Sequence, residues 1–111
     1  MLKKGNFQNI MKQAKNVQEK LEATQEELEK LEIKGQAGGG MVVAMVNGKQ
    51  ELLSLKIDPE ILTDDVEMVE DLIVAAVNQG LSKAGEESQK RMSGISGSVL
   101  GSLGDLEIPG T

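Results

Sequence analysis

The chain has 111 residues, a formal net charge of −6, no cysteine, histidine, tryptophan or tyrosine, and Phe7 as its only aromatic residue. That length suits one domain, and the missing residue types remove disulfides, thiol nucleophiles, histidine bases and ordinary zinc sites, so catalysis would rest on carboxylates, hydroxyls and lysines alone. No enzyme, cofactor, metal or small-molecule substrate is expected. With no run near the ~18 apolar residues of a membrane span and no apolar signal-peptide centre near Met1, no membrane association is expected either, and the location should be the cytoplasm.

From Asn6 to about Glu32 the residues follow a heptad, Phe7, Ala14, Leu21 and Leu28 in one column and Ile10, Val17, Thr24 and Leu31 in the other. This predicts an amphipathic helix with Asn6 as N-cap. At 1.5 Å per residue it would be about 40 Å long, more than a small sheet needs, so part should protrude as an arm. Its charge is divided along its length. Lys3, Lys4, Lys12, Lys15 and Lys20 stand against Glu19 in the first twenty residues, whereas Glu22, Glu26, Glu27, Glu29 and Glu32 stand against Lys30 in the next twelve. An acidic chain can therefore present a basic tip.

Ile33 to Gly40 ends the helix and predicts a short edge strand followed by a glycine-rich turn. The turn lacks a Gly-Lys-Ser/Thr ending and leads into a strand, which argues against a phosphate-cradling loop. Met41 to Ile57 reads as a β-hairpin, with Asn47-Gly48 supplying the two φ > 0 positions of a type I′ turn. A two-residue loop would pair Val46 with Lys49 and put Val42, Ala44 and Val46 on one face with Leu53, Leu55 and Ile57. The other face, with Met41, Val43, Met45 and Leu52 beside Gln50, Ser54 and Lys56, is too apolar for water alone. Both faces call for a cover.

Asp58-Pro59-Glu60 closes the last strand, since proline cannot continue the ladder. Asp58, Glu60, Asp64 and Asp65 suggest a calcium loop, but Leu62 stands where an oxygen ligand is needed, and acids at a helix start explain them better. A second long helix is predicted from about Asp64 to Met92, with Asp64 and Glu67 at capping-box spacing. Its centre, Leu72 to Val77, is apolar nearly all round and should be buried on more than one side. Residues 93–111 read as a Gly/Ser-rich flexible tail behind a domain spanning residues 1–92.

A chain of this size has a marginal core, and a sheet apolar on both faces with a helix apolar all round exceeds one protomer's needs. Two-fold pairing is the commonest remedy, so a homodimer is expected, against a monomer whose helices cover one sheet face each.

Several segments together carry a family resemblance: Met11 to Lys15 (Met-Lys-Gln-Ala-Lys), Leu28 to Glu32 (Leu-Glu-Lys-Leu-Glu), Gly35 to Gly40, Val46-Asn-Gly48, Ile57 to Leu62 (Ile-Asp-Pro-Glu-Ile-Leu) and Glu70 to Ala76. In this combination the chain resembles the YbaB/EbfC family of bacterial nucleoid-associated proteins. The resemblance implies an α+β fold with α-β-β-β-α protomers, a small antiparallel sheet with two long helices, and a tweezer-like homodimer whose helical arms bind double-stranded DNA in the nucleoid. The residue types then constrain the mode. Base-edge readout leans on arginine, and Arg91 is the only one, whereas lysine suits phosphates. Aromatic stacking platforms are missing. Contact with duplex phosphates and weak sequence preference are expected, through Lys3, Lys4, Lys12 and Lys15 on the first arm and Lys83, Lys90 and Arg91 on the second, provided the helices pack antiparallel. The outcome would be DNA organisation or gene expression. The rival is a coiled-coil adaptor or prefoldin-like holding chaperone without DNA binding, supported by the heptad and by six methionines. A hydrolase built on carboxylates alone is a distant third, because no pair of acids has an apolar setting that would split their pKa values.

Overall fold

The computed structural model describes residues 4–63 and 65–104, with side-chain surroundings for residues 7–63 and 65–95. In chain order the elements are α1 (Lys4–Lys30), β1 (Ile33–Ala37), β2 (Val42–Val46), β3 (Leu52–Ile57), a 3-10 turn (Pro59–Thr63) and α2 (Val66–Gly104). The strands form an antiparallel sheet in the order β1-β2-β3. The α-β-β-β-α order expected from the sequence is the order observed.

α1 begins two residues earlier than expected, so Asn6 lies within the helix and does not cap it. Its other end is set by a tertiary contact. The Gly48 amide donates to the Leu28 carbonyl at 2.7 Å, and the Leu31 amide bonds back to the same oxygen at 3.3 Å. A carbonyl left without an intrahelical partner is satisfied by the hairpin tip. Leu28 is buried beneath that tip, and a Cβ on Gly48 would come within 2.7 Å of its Cδ2.

The hairpin differs from the type I′ expectation. Val46 pairs with Leu52 instead of Lys49, and Val42 with Ile57 instead of Leu53. The left-handed residue is Gln50, at φ 61°, and Gly48 has no positive φ. The reason lies in the Asn47 side chain, whose Oδ1 accepts the amides of Lys49 at 3.0 Å and Glu51 at 3.1 Å, while its Nδ2 donates to Glu51 Oε1 at 2.9 Å. Together with the Gln50 amide on the Asn47 carbonyl at 3.1 Å and the Asn47 amide on the Glu51 carbonyl at 3.0 Å, this builds a longer turn with a residue in αL at its end. The register moved by an even step, so Val42 and Ala44 still share a face with Leu55 and Ile57. An irregularity at Met45/Val46 then brings Leu52, and not Leu53, opposite Val46.

α2 lies across β1 and β2. The crossing is close because two glycines meet: a Cβ on Gly35 would overlap the Ala76 carbonyl and the Gly80 backbone, and Gly80 itself sits over the Val46 methyls. Val42, Ala44, Ile61, Val69 and Ala76 form the core, with Ala37, Ile57, Leu72, Ile73 and Val77 packed around them. Asp58 stabilises the approach to α2 by accepting the Glu60 amide at 3.0 Å. Asp65 accepts the Glu67 amide at 3.2 Å and acts as the observed cap. The Asp64 partner of the expected capping box lies outside the described residues.

The second helix is also longer than expected, continuing from Ser93 to Gly104 where composition suggested a flexible tail. No proline interrupts these residues, and Ile95, Val99 and Leu103 recur at four-residue spacing, so glycine and serine weaken the helix without stopping it. Residues 105–111 of that expected tail lie outside the described residues. Among the described residues only α2 covers the sheet extensively, and it leaves β3 open, so the alternative in which each helix covers one face does not hold there. The molecule is 73 Å along its longest axis.

Candidate nucleic-acid interface

Beyond the sheet, α1 and α2 run together as a stalk. Three features show that they are antiparallel. Lys83 Nζ donates to the Lys34 carbonyl at 3.1 Å, Lys90 lines a recess with Leu31 and Ile33, and further along Arg91 Nη1 meets Glu27 Oε2 at 2.9 Å. As α2 advances from Lys83 to Arg91, its neighbours move back from Lys34 to Glu27. The start of α1 and the end of α2 therefore extend away from the sheet in the same direction.

The seven cationic residues singled out from sequence separate into two levels. Lys12 and Lys15 are exposed on α1, three residues apart and so on neighbouring positions of one helix surface. Lys4 is the first residue of α1, and Lys3 lies outside the described residues. Lys4, Lys12 and Lys15 belong to the far end of the stalk. Lys83 and Lys90 are exposed near its base, around a recess that also includes Glu86 and Glu87. Arg91 is half-buried and directs Nη1 to Glu27 and Nε to Glu87 Oε1, the latter at 3.0 Å. From Glu27 to Lys12 is about 22 Å of helix axis, so the two groups do not form one continuous patch.

The separation has an electrostatic consequence. Glu26 lies about 16 Å along the axis from Lys15, twice the ~8 Å screening length at physiological salt, whereas Glu22 at about 10 Å and Glu19 at about 6 Å are closer, so the far end stays basic through its excess of lysines over these two acids. A second feature was only partly visible in the sequence. Leu52, Leu53 and Leu55 on the uncovered β3 are 49%, 51% and 37% exposed, and Val66, Met68 and Val74 of α2 are exposed as well. Alternation in β3 indicated an apolar strand, but which strand α2 would leave bare depended on where the helix crosses.

A small antiparallel sheet crossed by one helix, with a long antiparallel helical stalk, defines an α+β protein of α-β-β-β-α order. The family model for the YbaB/EbfC DNA-binding family matches residues 3–99, and the chain belongs to that family. It is 51% identical over 96 residues to a nucleoid-associated protein of Chlorobium phaeobacteroides strain BS1, covering 86% of each chain. The same identity and coverage relate it to a nucleoid-associated protein of Clostridium perfringens strain SM101. Among solved structures, an uncharacterized protein of Helicobacter pylori matches with a TM-score of 0.60 and 28% identity, over 72% of this chain and 93% of the other. Among the described residues, no helix is long and apolar enough to cross a membrane.

Proposed function

We propose that the chain acts as a homodimer in the bacterial nucleoid, binding duplex DNA through lysine contacts to phosphates made by the ends of its helical stalks, with weak sequence preference. The observation that carries this reading is the exposure of Lys12 and Lys15 on α1, about 16 Å or more from Glu26, Glu27, Glu29 and Glu32, with only Glu19 and Glu22 nearer. Lys3 and Lys4 extend the same basic segment, and Lys90 adds a charge nearer the base. Lysine supplies a compact point charge that tolerates many phosphate geometries, so affinity comes largely from released counterions and little from base identity. Sequence preference would then arise from DNA shape and from the spacing of the two stalks. DNA organisation or altered gene expression is the expected result.

The dimer is supported by the bare third strand. A run of three leucines at 37–51% exposure is a large apolar surface for a chain of this size, and a second copy would bury it at a two-fold contact. It would also leave both stalks free.

The test is a titration with duplex DNA at three salt concentrations, comparing the intact protein with a Lys3, Lys4, Lys12 and Lys15 to Gln variant, with sedimentation of both to give the assembled mass. If a dimer neutralises about six phosphates, the log-log slope of affinity against salt is near −5, and each lost contact makes it shallower by about 0.9. A dimer mass, salt-sensitive binding and a shallower slope in the variant are the expected results. No binding at low salt would remove the DNA reading and favour the adaptor or holding chaperone, for which capture of protein partners is the next measurement.

A further inference from the structure

We propose that Arg91 is a positioning residue, and that its bridge between Glu27 of α1 and Glu87 of α2 sets the direction in which α1 carries its lysines to DNA. The inference rests on the DNA reading above and specifies how the stalk serves it. Three observations lead to it. First, the guanidinium is already engaged by two carboxylates, at 2.9 Å to Glu27 and 3.0 Å to Glu87. Releasing it to a phosphate would leave two acids facing each other without their cation. Second, the two acids come from different helices, so the planar fork of arginine ties α1 to α2 at one level, where a lysine would offer a less directional contact. Third, the bridge stands near the base of the stalk, with about 22 Å of α1 between Glu27 and Lys12. A tilt of about 10° at the bridge would displace Lys12 by about 4 Å, by simple leverage along that length.

Glu27 separates this role from a phosphate contact because the two assign opposite signs to its removal. If Arg91 touched DNA, Glu27→Gln would remove a competing negative charge beside it and strengthen binding. If the bridge positions the stalk, the same change loosens α1 and weakens binding.

The experiment compares the full-length protein with Glu27→Gln, Arg91→Gln and the exchanged pair Glu27→Arg/Arg91→Glu. Two readouts are taken: duplex-DNA affinity across a salt series, and hydrogen exchange of α1 without DNA. The expected result is affinity lower by about 2- to 5-fold in each single variant, the range that a partly exposed ion pair supports. Exchange through residues 10–25 should be faster in both, and both readouts should recover in the exchanged pair. Glu27→Gln that binds DNA as tightly as the parent or more tightly, with unchanged exchange, would overturn the proposal. So would Arg91→Gln that loses salt slope while exchange is unchanged, since that is the signature of a lost phosphate contact. If the parent itself binds no duplex at low salt, the DNA reading fails separately, and exchange alone decides the bridge: faster in the single variants supports it, unchanged overturns it.

Discussion

The base of the molecule and its stalk are made from the same two helices, yet they are held together by different physics. At the base, backbones approach so closely that side chains are excluded: Gly35 lies against Ala76 and Gly80, and Gly48 lies against Leu28. Polar groups there are satisfied internally, as with Asn47, which is 2% exposed and makes three side-chain hydrogen bonds. Along α1 the heptad residues Phe7, Ile10 and Leu21 stay exposed, and the helix is braced by the exposed or half-buried carboxylates around Arg91. The base is specified by shape and the stalk by charge. Substitutions in the first should therefore change stability, and substitutions in the second should change binding.

The strongest challenge to that division is Gly35→Val, which would force a branched side chain into the Ala76 carbonyl and the Gly80 backbone. A backbone neighbour cannot rotate away, so the expected cost is about 3 kcal/mol or more, the upper end for overpacking, measured by urea denaturation. Retention of full stability would mean that α2 does not cross β1 where it is placed. Asn47→Ala comes next. It removes the acceptor for the Lys49 and Glu51 amides and the donor to Glu51, and should cost about 1–3 kcal/mol in the same measurement. The four-lysine variant described above should alter the salt slope of DNA binding while its denaturation midpoint stays close to the parent's. The smallest effect is expected for Phe7→Ala. A fully buried phenylalanine costs about 3–5 kcal/mol to truncate, whereas Phe7 is 55% exposed and its loss should cost under about 0.5 kcal/mol. A cost above about 2 kcal/mol would sharpen the picture in a different way, by showing that a second chain covers the α1 stripe in the assembled protein.

Much of the fold was legible in local patterns. The heptad from Phe7 to Leu31, the apolar run from Val42 to Val46 and the Asp58-Pro59 break depend on neighbours within a few residues, and local side-chain pattern reports those directly. The hairpin turn departs from its local pattern for an instructive reason. Asn47-Gly48 is the usual sequence of a two-residue loop, but here Gly48 is required by contact with Leu28, twenty residues earlier, and Asn47 closes a longer loop with its side chain. Gly80 is similarly ambiguous. Inside a helical pattern a glycine reads only as a weak helix former, and the packing role of Gly80 depends on Gly35 lying opposite it.

The candidate site shows the same boundary. Charge order along α1, basic and then acidic, follows from the sequence because a helix lays residues out at a constant rise, so Lys12 and Lys15 had to stand apart from Glu26 and Glu27 if the helix formed. Which cations remained available could not be deduced in that way. Arg91 and Glu27 are 64 residues apart, and only the antiparallel packing of α2 on α1 brings the guanidinium to that carboxylate and Lys83 to the Lys34 carbonyl. The sequence by itself determined the elements, their order and the charge along each helix, because those are properties of consecutive residues. The tertiary structure decided which cations are already paired, which strand is left bare and which glycines cannot be replaced, because each of these depends on the distance between segments that are remote in the chain.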